Sequence, residues 1–442
     1  MEQKQSHLKK EIGLFAAIAT VMGTVIGGGV FFKVATVVAA TQSASLTLLV
    51  WVLGGLLTLA AGLTVTELAA AIPVTGGAVK YIEYTYGKLP AFLLGWAQMI
   101  VYFPANIAAL SIIFGTQWVA LLHWSNSAIL PVAIVAGASI TGLNFLGARV
   151  GARVQSVSLI FKLIPIALIV IVGLLAPAHV NFAWTALTST HQTSFLSALS
   201  AGLVATMFAY DGWLGVGAIA GEMKNPKRDL PLAIGGGLIA ITLIYVLINL
   251  VFVRTLPISA LSGNLNAAAD AALRIFGDLG GKLVTIGILI SVYGAINGYT
   301  MTGMRVPFAM AEEDALPFSH LFKRLSPHTS VPYFAGAVQF GIALIMMLLG
   351  SFDLLTDMLV FVMWGFSVLL FIAVFILRKR EPELMRPYRV PGYPIIPAIA
   401  LIGGIFILVV TLMTQPLLAI IGIVLTALGV PVYLYHAKHQ RA

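Results

Sequence analysis

Twelve apolar runs of about 20 residues or more divide this chain, and they constrain its fold more than any other feature. About 20 apolar residues in an α-helix are needed to cross the hydrocarbon core of a bilayer. Of the 442 residues, 60% are hydrophobic and 9% are charged, whereas soluble proteins carry about 25% charged residues. The runs lie near residues 12–40, 45–72, 88–121, 128–147, 150–177, 195–222, 230–254, 281–310, 332–350, 355–377, 394–413 and 416–436. The sequence therefore predicts an all-α integral membrane protein with 12 transmembrane helices.

The first run contains three consecutive glycines, Gly27, Gly28 and Gly29. Each glycine costs a helix about 1 kcal/mol relative to alanine, and unpaired backbone groups are most costly in lipid. Broken backbone at membrane depth is tolerated where it is buried in protein or lines a cavity. We interpret these glycines as a helix break whose free N–H and C=O groups face a polar ligand. The alternative, that they only allow close helix packing, stays open.

The sequence Phe208-Ala-Tyr-Asp-Gly-Trp213 indicates a second break, in the sixth run. Each break lies about fifteen residues into its run, but helices 1 and 6 cross the membrane in opposite directions. This inversion predicts two five-helix repeats of opposite topology. The first repeat covers 1–178 with a polar tail at 1–10, the second covers 195–378, and helices 11 and 12 lie in 394–442.

Lys and Arg residues fall mainly in the loops of one predicted side, apart from the segment Arg254 to Lys282 on the other. By the positive-inside rule, the basic side is cytoplasmic and carries both termini. The net charge of +9 is therefore interpreted as a signal that orients the protein in the lipid bilayer. It is not interpreted as a nucleic-acid binding site. The chain has no cysteine, so no subunit is expected to be linked to it by a disulfide. No metal site or other cofactor is indicated.

Several motifs resemble a known family. The sequence Gly23-Thr-Val-Ile-Gly-Gly-Gly-Val-Phe31 resembles the first-helix motif of the amino acid–polyamine–organocation (APC) transporters. The second break, followed by Gly221-Glu-Met-Lys-Asn-Pro226, resembles the L-amino acid transporter (LAT) branch, and Pro73-Val-Thr-Gly-Gly77 and Gly303-Met-Arg-Val-Pro-Phe-Ala-Met-Ala311 add further matches. The resemblance covers essentially the whole chain and is closest to bacterial serine/threonine and alanine/serine exchangers. It implies a LeuT-type fold, with a 5+5 inverted repeat plus two peripheral helices, in the bacterial cytoplasmic membrane.

An α-amino acid zwitterion can use both ends of a broken helix, because free N–H groups bind its carboxylate and free carbonyls bind its ammonium. We expect the helix N-terminus near Val30 to bind the carboxylate through backbone N–H groups alone, since Gly28 stands where many family members have serine. The carbonyls expected to bind the ammonium are those of Val25, Ile26, Phe208 and Ala209. The whole predicted substrate site consists of Val25, Ile26, Gly27, Gly28, Gly29, Val30, Asn106, Phe208, Ala209, Asp211, Gly212 and Tyr245.

Four of these side chains have specific expected roles. The resemblance implies that Phe208 is a gate over the substrate, with simple packing as the alternative. The resemblance also implies that Tyr245 corresponds to a tyrosine that the bacterial exchangers bring to the cytoplasmic side of the substrate. The alternative is a hydrogen bond from its hydroxyl to a neighbouring backbone group. Asn106 lines the pocket or forms an interhelical hydrogen bond. Asp211 caps the inner half of helix 6 or contacts the substrate ammonium.

Other charged residues lie close to helix ends. Lys33 is expected to reach the outer interface. Glu67, Glu222 and Arg305 either snorkel to the cytoplasmic interface or form an inner ion-pair gate. The segment from Asn266 to Phe276 can form a short surface helix over the outer mouth, or an ordinary amphipathic connector.

Lys162 lies about twelve residues into the fifth span, roughly 18 Å deep, which is close to the bilayer midplane. An unpaired ammonium at that depth costs at least about 3 kcal/mol. The resemblance implies that this lysine replaces a coupling sodium ion and bonds backbone carbonyls around Gly27. A purely structural lysine and a lysine that titrates during a proton-coupled cycle are the alternatives.

These observations predict a secondary transporter, not an enzyme, that exchanges small or medium neutral L-amino acids by sodium-independent alternating access. Serine, threonine and alanine are favoured because no acidic group apart from Asp211 is evident for a cationic side chain. A proton-coupled amino acid symporter of the same fold is the alternative. An intramembrane aspartyl protease is a distant alternative. Tyr210-Asp211 resembles one of its two motifs, but the second motif, Gly-x-Gly-Asp, is absent from the sequence. A channel is disfavoured because no selectivity-filter repeat is present.

Overall fold

The computed structural model describes residues 13–72, 76–180, 194–214, 223 and 225–439. Every regular element in these ranges is helical, and they contain no β-strand. The elements of the first half are α1 (Leu14–Val25), α2 (Gly29–Thr41), α3 (Ala44–Ala71), α4 (Ala78–Tyr86), α5 (Lys88–Ala97), a π-helix (Gln98–Tyr102), α6 (Phe103–Leu122), a 3-10 turn (Asn126–Ala128), α7 (Ile129–Phe145) and α8 (Ala148–Leu175). Those of the second half are α9 (Phe195–Thr206), α10 (Pro226–Thr255), α11 (Ile258–Leu261), α12 (Ala267–Gly303), α13 (Arg305–Glu312), α14 (Ser319–Phe322), α15 (Tyr333–Leu349), α16 (Phe352–Arg380), α17 (Ile395–Thr414), α18 (Pro416–Ala427) and α19 (Gly429–His439).

Nine helical stretches in the described part of the chain are long and apolar enough to cross a membrane, and ten if α1 and α2 form one bent span. Two further apolar helices, α9 and α15, are shorter. Each predicted run contains one of these helices. The prediction of an all-helical, multi-pass membrane protein is therefore confirmed, and the count of 12 transmembrane helices stays a prediction.

The first span is interrupted where the glycines lie. Helix α1 ends at Val25, and Ile26 has an extended backbone with φ −69° and ψ 98°. Helix α2 begins at Gly29, and the two helices are bent by 47° relative to each other. Because Val25 and Ile26 are buried, the carbonyls that α1 leaves unpaired and the first amides of α2 lie inside the protein.

The predicted sixth span loses helical geometry after Thr206, where α9 ends and turns follow. Gly212 in these turns has a φ of +102°. A Cβ at Gly212 would lie 2.9 Å from the carbonyl oxygen of Thr24 in α1. A glycine is needed here both for the left-handed backbone and for the close approach of the two breaks.

Some predicted features lie outside the described residues. They include residues 215–222 and 224, which hold Glu222, much of the motif that ends at Pro226 and the inner half predicted for helix 6. Residues 73–75 of the motif Pro73-Val-Thr-Gly-Gly77 lie outside them as well.

The third span contains a wide turn, the π-helix between α5 and α6. Pro104 follows directly, near the start of α6. Proline has no N–H and its ring clashes with the preceding turn, so the regular hydrogen-bond ladder is interrupted at this point. The π-helix ends at Tyr102.

The segment predicted as a short surface helix is helical, and a kink separates it from the long helix that follows. Helix α12 starts at Ala267 and continues to Gly303 through a kink at Gly277, which has φ 73° and ψ −176°. One face of its first turns is buried, formed by Ala267, Ala268, Ala271 and Ala272. Asp270 and Leu273 on the opposite face are exposed, so this segment is amphipathic, and its place over the outer mouth stays a prediction.

The broken helices pack against long unbroken ones. Helix α1 contacts α10, α2 contacts α9, and α10 in turn packs along α3. Helix α8 lies along α12, and α16 lies along α17. The main hydrophobic core includes Val25 and Ile26 from the first break and Phe208 and Tyr210 from the second. Both breaks therefore lie at the centre of the helix bundle.

Candidate functional site

Lys162 joins α8 to the first helix break. Its Nζ donates to the carbonyl oxygen of Gly23 and, at 2.7 Å, to that of Ile26. The residue is only 6% exposed, so an ammonium at this depth depends on these carbonyls for its stabilisation. The carbonyls are available because α1 ends at Val25 and leaves its last C=O groups without intrahelical partners.

Tyr245 of α10 bridges the two breaks. Its hydroxyl lies 3.1 Å from the carbonyl oxygen of Val25 and 3.0 Å from that of Ala209, and the side chain is fully buried. A tyrosine hydroxyl has one proton to donate, so the two carbonyls share it. The contact connects the end of α1 directly to the turns that follow α9.

All four carbonyls that the sequence suggests for an ammonium receive a hydrogen bond from within the protein. Tyr245 and Lys162 supply three of these bonds. The amide of Asp211 supplies the fourth, to the carbonyl oxygen of Phe208 at 3.2 Å. Each carbonyl oxygen has two lone pairs. An ammonium bound here has to use the second lone pair or displace the internal donor.

The three glycines of the first break differ in their surroundings. A Cβ at Gly29 would lie 2.6 Å from the Cα of Ala209, so this glycine permits the close packing of the two breaks. A Cβ at Gly28 would lie 3.2 Å from the side chains of Leu110 and Phe32, which is a tight contact. At Gly27 the nearest atom is the carbonyl oxygen of Val25, at 3.9 Å. Close helix packing therefore explains Gly29. At Gly27, by contrast, there is open space next to the backbone.

Asp211 is connected to the π-helix. The hydroxyl of Tyr102 donates to Asp211 Oδ2 at 2.6 Å, and the Tyr102 ring lies edge-on to Tyr299 with 6.0 Å between ring centroids. The inner half-helix that Asp211 was expected to cap lies outside the described residues. The observed hydrogen bond joins the carboxylate to the third predicted span, and Tyr102 in turn packs against the eighth.

Asn106 lies one turn after Tyr102 and is fully buried. Its Nδ2 donates to the carbonyl oxygen of Tyr102 at 3.0 Å, so this bond lies within the third span instead of joining two helices. Among the described residues, Asn106 Oδ1 has no hydrogen-bond partner. A buried acceptor of this kind is costly to leave unpaired and can accept a hydrogen bond from a ligand.

Phe208 lies in the second break and is 7% exposed. Its ring packs edge-on against Phe352 at the start of α16, with 5.7 Å between ring centroids. The Nζ of Lys33 lies 5.9 Å from the Phe208 ring and 5.3 Å from the Phe352 ring. The aromatic pair thus separates the second break from a buried cation.

The prediction that Lys33 reaches the outer interface is wrong. Its side chain is 0% exposed, and Nζ donates to Asp353 Oδ1 and to Asp357 Oδ1, both at 2.9 Å. The physical reason is that these two carboxylates lie one turn apart on the same face of α16, so a partly inserted lysine finds a paired site there. Because Lys33 finds its partners here, its side chain does not have to extend to the membrane interface.

A second ion pair joins the C-terminal ends of α3 and α16. Glu67 is 2% exposed and accepts two hydrogen bonds from Arg378, at 2.8 and 2.6 Å, and one from the amide of Val390 at 2.8 Å. Of the two alternatives for Glu67, the structure shows an ion pair. Arg305 is exposed and bonds the carbonyl oxygen of Met301 in its own turn.

Sequence reasoning missed Tyr102 and the two aspartates that bind Lys33. Asp357 lies inside the predicted run 355–377, and the rule that an ionisable group in a span needs a partner applies to it as it does to Lys162. Asp357 also lies four residues after Asp353, and this spacing places both carboxylates on one face of a helix, where they can bind the same cation. For Tyr102, the signal was Pro104 two residues later, which marks an interrupted helix.

The groups gathered at the two breaks are peptide N–H and C=O groups, tyrosine hydroxyls, the carboxylate of Asp211 and the ammonium of Lys162. Together they can bind a dipolar solute without forming a bond to it. Within the part of the chain that the structure describes, no three His, Asp or Glu side chains are grouped so that they could hold a metal ion.

Comparison with known proteins connects this geometry to a family. The sequence model for the family described as amino acid permease matches residues 12–430. The chain is 40% identical over 443 aligned positions to the serine/threonine exchanger SteT of Bacillus subtilis (strain 168), with 100% of each chain covered. It is 30% identical over 430 positions to the b(0,+)-type amino acid transporter 1 of Mus musculus, covering 94% of this chain and 85% of the relative. It is 28% identical over 436 positions to the cystine/glutamate transporter of Homo sapiens, covering 98% and 86%.

Proposed function

Because the chain belongs to the amino acid permease family, we propose that it exchanges small or medium neutral L-amino acids across a membrane, with serine, threonine and alanine favoured. Its full-length similarity to a serine/threonine exchanger is the observation that carries this proposal. A cystine/glutamate transporter is also similar, so the substrate side chain does not follow from family membership. Neutral substrates are favoured because Asp211 is the one acidic residue of the predicted site, and Tyr102 already donates a hydrogen bond to it.

The proposed binding mode uses the backbone of both breaks. The substrate carboxylate binds at the N-terminus of α2, near Gly28 and Val30, where the first amides have no intrahelical acceptors. The ammonium binds the carbonyls at the end of α1 and in the second break. The open space at Gly27 and the unpaired Oδ1 of Asn106 support a ligand in this region. Phe208 covers the bound substrate as a gate.

The contacts of Lys162 support sodium-independent exchange. Its ammonium already lies against the carbonyl oxygens of Gly23 and Ile26 at the broken helix. A cation that the protein supplies itself makes a coupling sodium ion unnecessary at that position. We therefore propose obligatory exchange by alternating access, in which an amino acid must be bound for the protein to reorient.

We place this site in a LeuT-type fold of 12 transmembrane helices with a 5+5 inverted repeat. The repeats are 1–178 and 195–378, and 394–442 holds the two peripheral helices. The interruption between α1 and α2 and the turns that follow α9 support this arrangement, because the two are brought together at Gly29 and Ala209. We propose that the protein lies in a bacterial cytoplasmic membrane with both termini in the cytoplasm.

Transport in proteoliposomes tests this function. Vesicles containing the purified protein are preloaded with unlabelled serine, threonine, alanine, arginine or no amino acid, and uptake of labelled serine or labelled arginine is followed. We expect uptake only with a neutral amino acid inside, at the same rate in sodium and in potassium buffer. Uptake into empty vesicles driven by a proton gradient would indicate the proton-coupled symporter instead. Exchange of arginine without exchange of serine would contradict the proposed substrate class.

The role of Lys162 is tested by removing its amine. Lys162→Ala should lower serine exchange by at least tenfold while the protein remains monodisperse, because the carbonyls at the end of α1 lose their donor. The matched control is Arg153→Ala, which removes a positive charge from an exposed position of the same helix. Unchanged kinetics in Lys162→Ala, or exchange that requires a sodium gradient in the wild type, would show that the assignment is wrong.

A further inference from the structure

Lys33 lies at the centre of a buried charge cluster that the proposed substrate site does not use. Its ammonium binds two carboxylates of α16, those of Asp353 and Asp357. Thr36, also in α2, donates to the same oxygen of Asp353 at 2.7 Å. Gln415, which precedes α18, donates to Asp357 Oδ2 at 3.0 Å. The cluster thus connects the half-helix α2 to α16, and α16 to α18.

The two carboxylates are not equivalent. The side chain of Asp353 is 46% exposed, whereas that of Asp357 is 8% exposed and that of Lys33 is 0% exposed. A buried ammonium that loses every partner is strongly destabilised. With two carboxylates, Lys33 can release one and keep the other. The exposed Asp353 is the partner that water can stabilise after release, and the buried Asp357 is the one that must stay paired.

The cluster is also coupled to both helix breaks. Lys33 lies one turn after Gly29, where α2 touches Ala209 of the second break. The Phe208 ring, in the same break, lies 5.9 Å from the ammonium. Helix α2 has only 13 residues and joins α1 through the non-helical backbone at Ile26. A rotation of α2 about this joint therefore moves Lys33 relative to α16.

We propose that Lys33 is a positioning residue, and that its ion pair with Asp353 is a latch between α2 and α16. In the closed state the latch holds the amides at the start of α2 in place. When α2 turns to admit an amino acid on the side of the latch, Asp353 releases Lys33 and Thr36, while Asp357 keeps its ion pair. This inference rests on the proposed exchange function and adds a residue that controls access from one side.

The first test compares Asp353→Asn with the wild type in vesicles of known protein orientation, with serine supplied from either side. Removal of the latch favours the state that is open on its side, so the KM for serine on that side should fall at least threefold and the KM on the other side should rise. A purely structural role would lower the maximal rate or the stability without this split. The matched control is Asp278→Asn, which breaks an exposed ion pair of the same 2.9 Å length with Lys282.

The second test locks the latch. Because the chain has no cysteine, a double variant with Thr36→Cys and Asp353→Cys can be joined selectively by a short bifunctional thiol reagent that contains a reducible bond. We expect the reagent to lower serine exchange at least tenfold and reduction to restore it, while each single-cysteine variant is unaffected by the reagent. Lys33→Arg should exchange serine within threefold of the wild type, whereas Lys33→Met should lose at least tenfold.

The outcomes separate the latch from the function on which it rests. Wild-type protein that does not exchange serine or threonine would contradict the proposed function. Wild-type protein that exchanges serine, together with unchanged KM values on both sides in Asp353→Asn, would overturn the latch alone. Full exchange by the cross-linked double variant would overturn it as well, because α2 and α16 would then not have to separate.

Discussion

At the scale of single residues, the glycines of the first break differ in what a methyl group would meet. Gly29→Ala places a Cβ 2.6 Å from the backbone of Ala209, which has no flexible side chain that could move away. Overpacking of this kind costs about 1–3 kcal/mol. We expect Gly29→Ala to lower the thermal unfolding temperature and to abolish serine exchange, whereas Gly27→Ala should keep the stability of the wild type. Equal stability of the two variants would show that the breaks are not packed as described.

Tyr245 provides a second prediction at this scale. Tyr245→Phe removes the hydroxyl shared by the carbonyls of Val25 and Ala209, and loss of a buried hydrogen bond of this kind costs about 1–3 kcal/mol. We expect lower thermal stability and weaker serine binding in this variant. Tyr210→Phe is the control, because its hydroxyl bonds the carbonyl oxygen of Trp51 in α3, outside the breaks. That variant should lose stability but keep its affinity for serine, and the two effects are measured by thermal unfolding with and without serine.

At the scale of helices, local chemistry accounts for what the sequence could predict. Three consecutive glycines disfavour a helix in lipid, so the interruption after Val25 could be predicted from the local sequence, with close helix packing as the alternative. The π-helix at Gln98–Tyr102 was not predicted. Pro104 marks an interruption nearby, but it does not specify a π-helix or the residues that form it. The contact of Gly29 with Ala209 could not be predicted from the sequence either, because it depends on how two separate helices pack. Periodicity identifies helices, whereas packing decides which of their interrupted ends meet.

The gate assigned to Phe208 is tested at this scale, because the ring connects the turns after α9 to α16. Phe208→Ala should slow serine exchange several-fold more than it weakens equilibrium binding, since a gate acts on the conformational step. Binding is measured by a thermal shift with serine, and exchange by counterflow. Phe352→Ala removes the other ring of the pair and serves for comparison. Equal losses of binding and exchange in Phe208→Ala would favour simple packing over a gate.

At the scale of the whole molecule, charge pairs tie distant parts of the sequence together at two places. Lys33 pairs with Asp353 across 320 positions, and Arg378 pairs with Glu67 across 311. The sequence contained all of these residues but no signal that matched each cation to its carboxylate. It did contain their uneven distribution: α16 begins with an aspartate in its first turn and ends with Arg378, Lys379 and Arg380. This asymmetry is what predicts the orientation of the protein.

The orientation yields a prediction for the intact molecule. The positive-inside rule counts Lys and Arg in short loops next to the spans, and the basic end of α16 is such a site. That end should therefore lie in the cytoplasm, together with the loop that contains His328, while the loop between α6 and α7 that contains Ser127 should lie outside. Both residues are exposed. Because the chain has no cysteine, Ser127→Cys and His328→Cys each introduce a single thiol that can be labelled.

A membrane-impermeant maleimide applied to intact cells distinguishes the two orientations. We expect rapid labelling of Ser127→Cys and labelling of His328→Cys only after the membrane is permeabilised. The permeabilised sample is the control for reactivity, since both thiols should then react to completion. The reverse pattern would place both termini outside, and labelling of both thiols in intact cells would contradict an odd number of spans between them. Five predicted spans, the fourth to the eighth, lie between the two residues. If the broken sixth span did not cross the membrane, the number would be four and both thiols would lie on the same side, so the experiment also tests whether that span crosses.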